Sequence, residues 1–232
     1  MFPCPYLQVN QAVRETSGVL SHRLSHGMNK VMSIAILGWG SLLWDKRPEF
    51  AAFEKQHEAW QLDGPSLRLE FSRVSKTRGN GLTLVVENAP NGAVCVVAYA
   101  LSKRKAWEDA VCDLRDREGT IVANIGFCFA DRTKPVRSRE SGVLDTIRNW
   151  VDARQFEAAV WTDLPTNFAE KSDPRAAFSV SAALAHMKAL PSEGKIKTAE
   201  YVWRASEFVQ TPVRTALQAE PWFVAIKPVP AP

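Results

Sequence analysis

Histidine is scarce in this chain: His22, His26, His57 and His186 are the whole supply. Ser-His-Asp and Cys-His nucleophiles both need an imidazole beside them, so this shortage argues against either. His22 and His26 have the i, i+4 spacing of a helix-borne metal pair. They fall in a weakly patterned leader, and no metal centre is expected. Cysteine is equally sparse. Cys4, Cys95, Cys112 and Cys128 are far apart and form no CxxC. That excludes the usual zinc spacings and a disulfide scaffold. Cys95 and Cys128 lie in apolar, strand-like runs, and free buried thiols are the expectation. No apolar run approaches the roughly 18 residues of a membrane helix. The opening "MFPCPYLQVNQAVRETSGVLSHRLSHGMNK" has no continuous apolar stretch of the kind a secretory signal needs. Met28 and Met32 stand as alternative starts, and a soluble, cytoplasmic protein is expected. Charge of one sign is not in large excess either, at +4 net. The basic runs "RVSKTRG", "KRK" and "RTKPVRSR" contain no aromatic platforms, so they read as solvated loops and helix faces. Neither a nucleic-acid nor a membrane partner is expected.

What the chain does have is apolar residue: 46% of 232 positions. That suffices for the core of one full-sized domain. Ser33–Leu37 reads as a short buried strand, and Arg47–Trp60 as helical or irregular. "SLRLEFS" (Ser66–Ser72) alternates, as does "LTLVVE" from Leu82, with the turn signal "RGNG" before it. After "NAPNG", Ala93–Leu101 reads as a third strand, and the three suggest an antiparallel meander. Ser102 is a candidate N-cap for a helix reaching Arg117, with Gly119 placed to stop it. Ile121–Ala130 reads as a strand, Ser141–Ala153 as an amphipathic helix, and "FEAAVWTDLP" as strand and turn. Pro174–Leu190 reads as a helix, and "TAEYVWRA" from Thr198 begins another. The expected organisation is a leader at 1–31, one domain at 32–226 with a helical extension at about 131–190, and a loose tail at 227–232. The expected class is α+β, a curved or barrel-like mixed β-sheet with surrounding helices.

Two features carry chemistry. "AILGWGSLLWD" runs a buried strand into Gly38-Trp39-Gly40-Ser41. Glycines at a strand end permit positive φ and close backbone approach, and successive N–H groups in such a turn can hold an anion. Neither the dinucleotide fingerprint nor the phosphate-loop pattern fits. The second feature is Glu118. Trp107, Val111, Leu114 and Glu118 share one helical stripe, so this carboxylate ends an apolar face. Asp113, Arg115, Asp116 and Arg117 fall off that stripe. Entry of Glu118 into a desolvated pocket would raise its pKa and suit it to proton transfer.

Together these residues resemble the gamma-glutamylcyclotransferase-like superfamily, closest to its ChaC branch. "LGWGSLLWD" is similar to that family's "FGYGSLIW" signature, and "LRDREG" to the helix end that carries its catalytic glutamate. "RGNGLTLVVENAPNGAVCVVAYALS" and the late "KTAEYV" also resemble family segments, in order. The resemblance implies release of 5-oxoproline from a γ-glutamyl compound, glutathione or a γ-glutamyl amine or peptide. It implies Glu118 as general acid/base and a glutamyl-binding turn at Gly38, Trp39, Gly40, Ser41 and Leu42. Tyr201 matches a position near the pocket. No metal or cofactor is implied, only a small-molecule partner. Trp39 stands where the family has tyrosine, and about 132–191 matches ChaC poorly. A non-catalytic small-molecule or peptide binder on the same fold is the second reading, and a nucleic-acid-associated protein using the basic loops is a third.

Overall fold

The computed structural model describes residues 33–88 and 90–227. The leader, Cys4, His22, His26, Met28 and Met32 lie outside the described residues, as does all of the tail after Lys227. In chain order the strands are β1 (Ile34–Gly38), β2 (Ser66–Ser75), β3 (Gly81–Val86), β4 (Ala93–Val96), β5 (Ala98–Leu101), β6 (Ile125–Phe129) and β7 (Ala158–Thr162). The helices are α1 (Ala51–Glu54), α2 (Trp107–Glu118), α3 (Ser141–Ala153), α4 (Phe168–Lys171), α5 (Val180–Ala189), α6 (Ser192–Trp203), α7 (Pro212–Gln218) and α8 (Pro221–Val224).

β1 is apolar throughout because both of its faces are covered. Ile34 and Ile36 face a cluster with Ala110, Val111 and Leu114 of α2. Ala35 and Leu37 face a larger cluster that includes Phe71, Trp161 and Tyr201. β1 pairs antiparallel with β5 and parallel with β7, and β6 adds antiparallel to β7. The order is therefore β5-β1-β7-β6, a mixed four-stranded sheet. Residues 131–190 were expected as a helical extension. They also supply β7, an inner strand, and are thus built into the sheet.

The other three strands form a second sheet in the order β3-β2-β4, all antiparallel. The pairing departs from the expected meander: β4 joins the far edge of β2 rather than β3. The expected single strand Ala93–Leu101 is also divided. It changes sheets at Val97, which exchanges backbone bonds with Pro65 and Gly64 instead of either sheet (both 3.0 Å). The architecture is α+β, but the described strands make two sheets and no closed barrel.

A register shift between Phe71 and Arg73 inserts Ser72 as an extra residue in β2. Such a bulge reverses the alternation of side chains. Val74 thereby joins Leu67, Leu69 and Phe71 in the core, and Arg73 is turned to the other face. Helix limits differ from expectation for local reasons. Ser102 does not cap α2, because its N–H bonds Ile34 and its hydroxyl accepts from Arg104. The helix begins after Ala106 and stops, as expected, at Gly119 with φ +58°. The helix expected from Pro174 begins only at Val180, capped by the Ser179 hydroxyl. α6 starts at Ser192, earlier than "TAEYVWRA" suggested. Val122–Asn124 form a 3-10 turn, which shortens β6.

Cys95 and Cys128 are free and buried, as expected. Burial pushes the Cys128 thiol up to about 12. Cys112 departs from the expected free thiol and is disulfide-bonded. Among the described residues no helix is long and apolar enough to cross a membrane.

Candidate active site

Gly38 and Gly40 serve the turn in different ways. Gly40 has φ +61°, a conformation that a side chain makes costly. A Cβ there would also lie 2.2 Å from the Tyr201 hydroxyl oxygen. Gly38 has no positive φ. It is small because the Trp60 ring lies against it, with ring carbons 2.6 Å from where a Cβ would be. Gly38→Ala should therefore cost about 1–3 kcal/mol by overpacking, read by denaturant unfolding. The cost should shrink in a Trp60→Leu background, and its persistence there would exclude the ring as the cause.

From Gly40 to Leu42 the chain makes a 3-10 turn, closed by Leu43 N–H on Gly40 O (3.2 Å). Asp45 N–H bonds Ser41 O at 2.9 Å. The first N–H groups of such a turn are not used by the turn itself. Backbone groups of Ser41 and Leu84 face the Tyr201 phenol, whose pKa burial pushes up to about 12. On the cyclotransferase reading proposed below, Gly40→Val should weaken γ-glutamyl ligand binding, since valine resists positive φ and would displace Tyr201. Calorimetry on the folded variant checks this; unchanged affinity would leave Gly40 a turn residue only.

Glu118 is the last residue of α2. Its side chain is one-fifth exposed, through a cavity of about 1070 Å³. Trp39, Ser41, Leu42 and Tyr201 line the same cavity. Gly38 and Gly40 stand behind that lining, against Trp60 and Tyr201. Desolvation raises the Glu118 carboxyl above the ordinary range, opposed by the charges of Arg117 and then Arg78. The carboxylate lies on the cavity wall, where burial disfavours its charged form.

Arg117 and Arg78 were missed by the sequence reading. Arg117 falls off the stripe of Glu118 but is buried, at 6% exposure. Its Nη2 donates to Ser41 O at 3.0 Å and to Asp45 O at 3.4 Å. Its guanidinium stacks on Phe50 at 3.6 Å, and Nη1 lies 4.0 Å from Glu118. One arginine thus joins the acid to a turn 76 positions earlier in the chain. Arg78, read as part of a solvated basic run, instead lines the cavity with 19% side-chain exposure. It covers the Tyr201 ring at 4.4 Å and lies 3.8 Å from Asp45 Oδ2. Its only sequence signal is its place before Gly79, a left-handed turn residue.

Arg73, Asn167, Lys171 and His186 add to the cavity wall. His186 bonds the backbone of Asn80 and Asp173. Asn167 bonds both backbone groups of Val74 (2.7 and 3.1 Å), and so fixes the chain after β7 to β2. Among the described residues no group of His, Cys, Asp or Glu is arranged to hold a metal ion. No family model, curated protein or solved structure matches this chain.

Proposed function

We propose that this protein is a cyclotransferase that releases 5-oxoproline from a γ-glutamyl compound. The observation that carries the reading is the desolvated Glu118 carboxylate on the wall shared with the Gly40–Leu42 turn. In a γ-glutamyl amide the α-amine lies within ring-closing reach of the γ-carbonyl. The reaction is then intramolecular, and the protein's task is to hold the chain curled. Glu118 accepts the proton that the α-ammonium must lose, and returns a proton to the departing amine. Its raised pKa brings it nearer the working pH of such a shuttle. The N–H groups of the Gly40–Leu42 turn stabilise an oxyanion or hold the α-carboxylate. Arg78 and Arg117 supply positive charge beside the acid, and Tyr201 closes the wall over Gly40. The chemistry requires neither metal nor redox cofactor. Mass-spectrometric detection of 5-oxoproline after incubation with a panel of γ-glutamyl amides tests the proposal. Binding without release would assign the cavity to a small-molecule binding protein.

A further inference from the structure

The cavity exceeds what a curled glutamyl head fills, and lies at the upper end of small-molecule sites. Part of its wall comes from the end of β7 and the residues that follow it, including Thr162, Asn167 and Lys171. Arg73 projects there because the β2 bulge turns it away from the core. Its Nη1 donates to Pro165 O at 2.6 Å. Burial depresses its pKa, and the charge that acts on it is a second guanidinium, Arg139. Arg139 itself is satisfied: its Nε donates to Asp163 O (2.5 Å), its N–H to Asp163 Oδ2 (2.7 Å), and its Nη2 to Asn124 Oδ1 (2.8 Å). Among the described residues no carboxylate pairs with Arg73 in this way, and Lys171 lines the same wall. Asp173 is the acid that this part of the wall also carries. A half-buried guanidinium with a like-charged neighbour is an unfavourable arrangement that an anionic ligand would relieve.

We propose that Arg73, supported by Lys171, forms an anion subsite for a carboxylate or phosphate on the leaving half of the substrate. The inference rests on the cyclotransferase reading for which half of the ligand lies there. It selects γ-glutamyl amino acids, or amides with an acidic tail, over γ-glutamyl alkylamines. The planar fork of Arg73 suits two-point contact with such a group.

The test compares γ-glutamylglycine with γ-glutamylethylamide, which lacks the anion. Wild-type kcat/KM should favour the glycine compound at least 10-fold, mostly through KM. Arg73→Gln should reduce that preference 10-fold or more, and Arg73→Lys should restore part of it. A far-UV and melting comparison of the variants controls for loss of the Pro165 contact. Equal turnover of both substrates by wild type, or an undiminished preference in Arg73→Gln, overturns the subsite. If wild type releases no 5-oxoproline, the cyclotransferase reading fails separately. Calorimetry with the same two compounds then decides the subsite. Tighter binding of γ-glutamylglycine that Arg73→Gln abolishes supports it; equal affinities, or no binding of either, overturn it.

Discussion

Glu118→Gln should lower 5-oxoproline release by roughly 10²–10⁴-fold, the usual worth of a positioned acid/base group. Glutamine keeps the size and polarity of the side chain but cannot accept the ammonium proton. Substrate affinity should change far less. The same substitution has a stability signature of definite sign. Burial raises the folded-state pKa of Glu118 above its unfolded value. The folded protein therefore holds this proton more tightly, and stability linked to it is greatest at low pH. It is lost as pH rises from the ordinary carboxylate range through the folded pKa. Glu118→Gln removes the ionising group, so its melting temperature should exceed that of wild type near pH 8. The difference should narrow near pH 4. Under the cyclotransferase proposal the acidic limb of kcat/KM should lie above the ordinary glutamate range for the same reason. Full activity in Glu118→Gln would remove the residue from the mechanism.

The α+β class and most strands were legible because period-2 alternation and turn glycines are local properties. β2, β3 and the Gly119 stop of α2 are examples. Sheet order was not legible. Val97 switches the chain between sheets through bonds to Gly64 and Pro65, which alternation cannot reveal. β7 looked peripheral because the strand "AAVWT" lies between helical segments, yet it is inserted between β1 and β6. Glu118 stood out as an acid on an apolar stripe, and Gly40 as the glycine of a strand-end turn. Ser41 and Leu42 of that turn line one cavity with Glu118, and Gly40 stands behind them against Tyr201. The arginines were hidden by the same logic. Arg117 points off the stripe and is buried by Phe50 and two distant carbonyls. Arg78 and Arg73 sit in a run whose composition suggests solvent; a turn and a bulge bring them to the cavity.

Arg117→Met should damage both the turn and the acid, and the two effects can be separated. Methionine approximates the length of the aliphatic stem and can stay against Phe50, but it donates nothing. The carbonyls of Ser41 and Asp45 lose a charged donor. Hydrogen bonds to charged groups are worth about 1.5–3 kcal/mol each, and the longer contact to Asp45 lies at the weak end. Part of the loss is offset because a desolvated guanidinium is removed, and burial already depresses its pKa. A net destabilisation of about 1–3 kcal/mol is expected, read from urea unfolding. Glu118 also loses the first of the two charges that oppose its desolvation. Its pKa should rise further, and the acidic limb of kcat/KM should move to higher pH than in wild type. Arg117→Lys separates the contributions. It keeps a positive charge beside Glu118, so the pH limb should stay near its wild-type position. It lacks the planar fork, so the turn should still be weakened. A pH profile that is identical in wild type and Arg117→Met would mean that Arg117 acts only as a strut for the turn. A shifted profile together with full stability would mean the reverse: Arg117 would tune the acid without holding the turn.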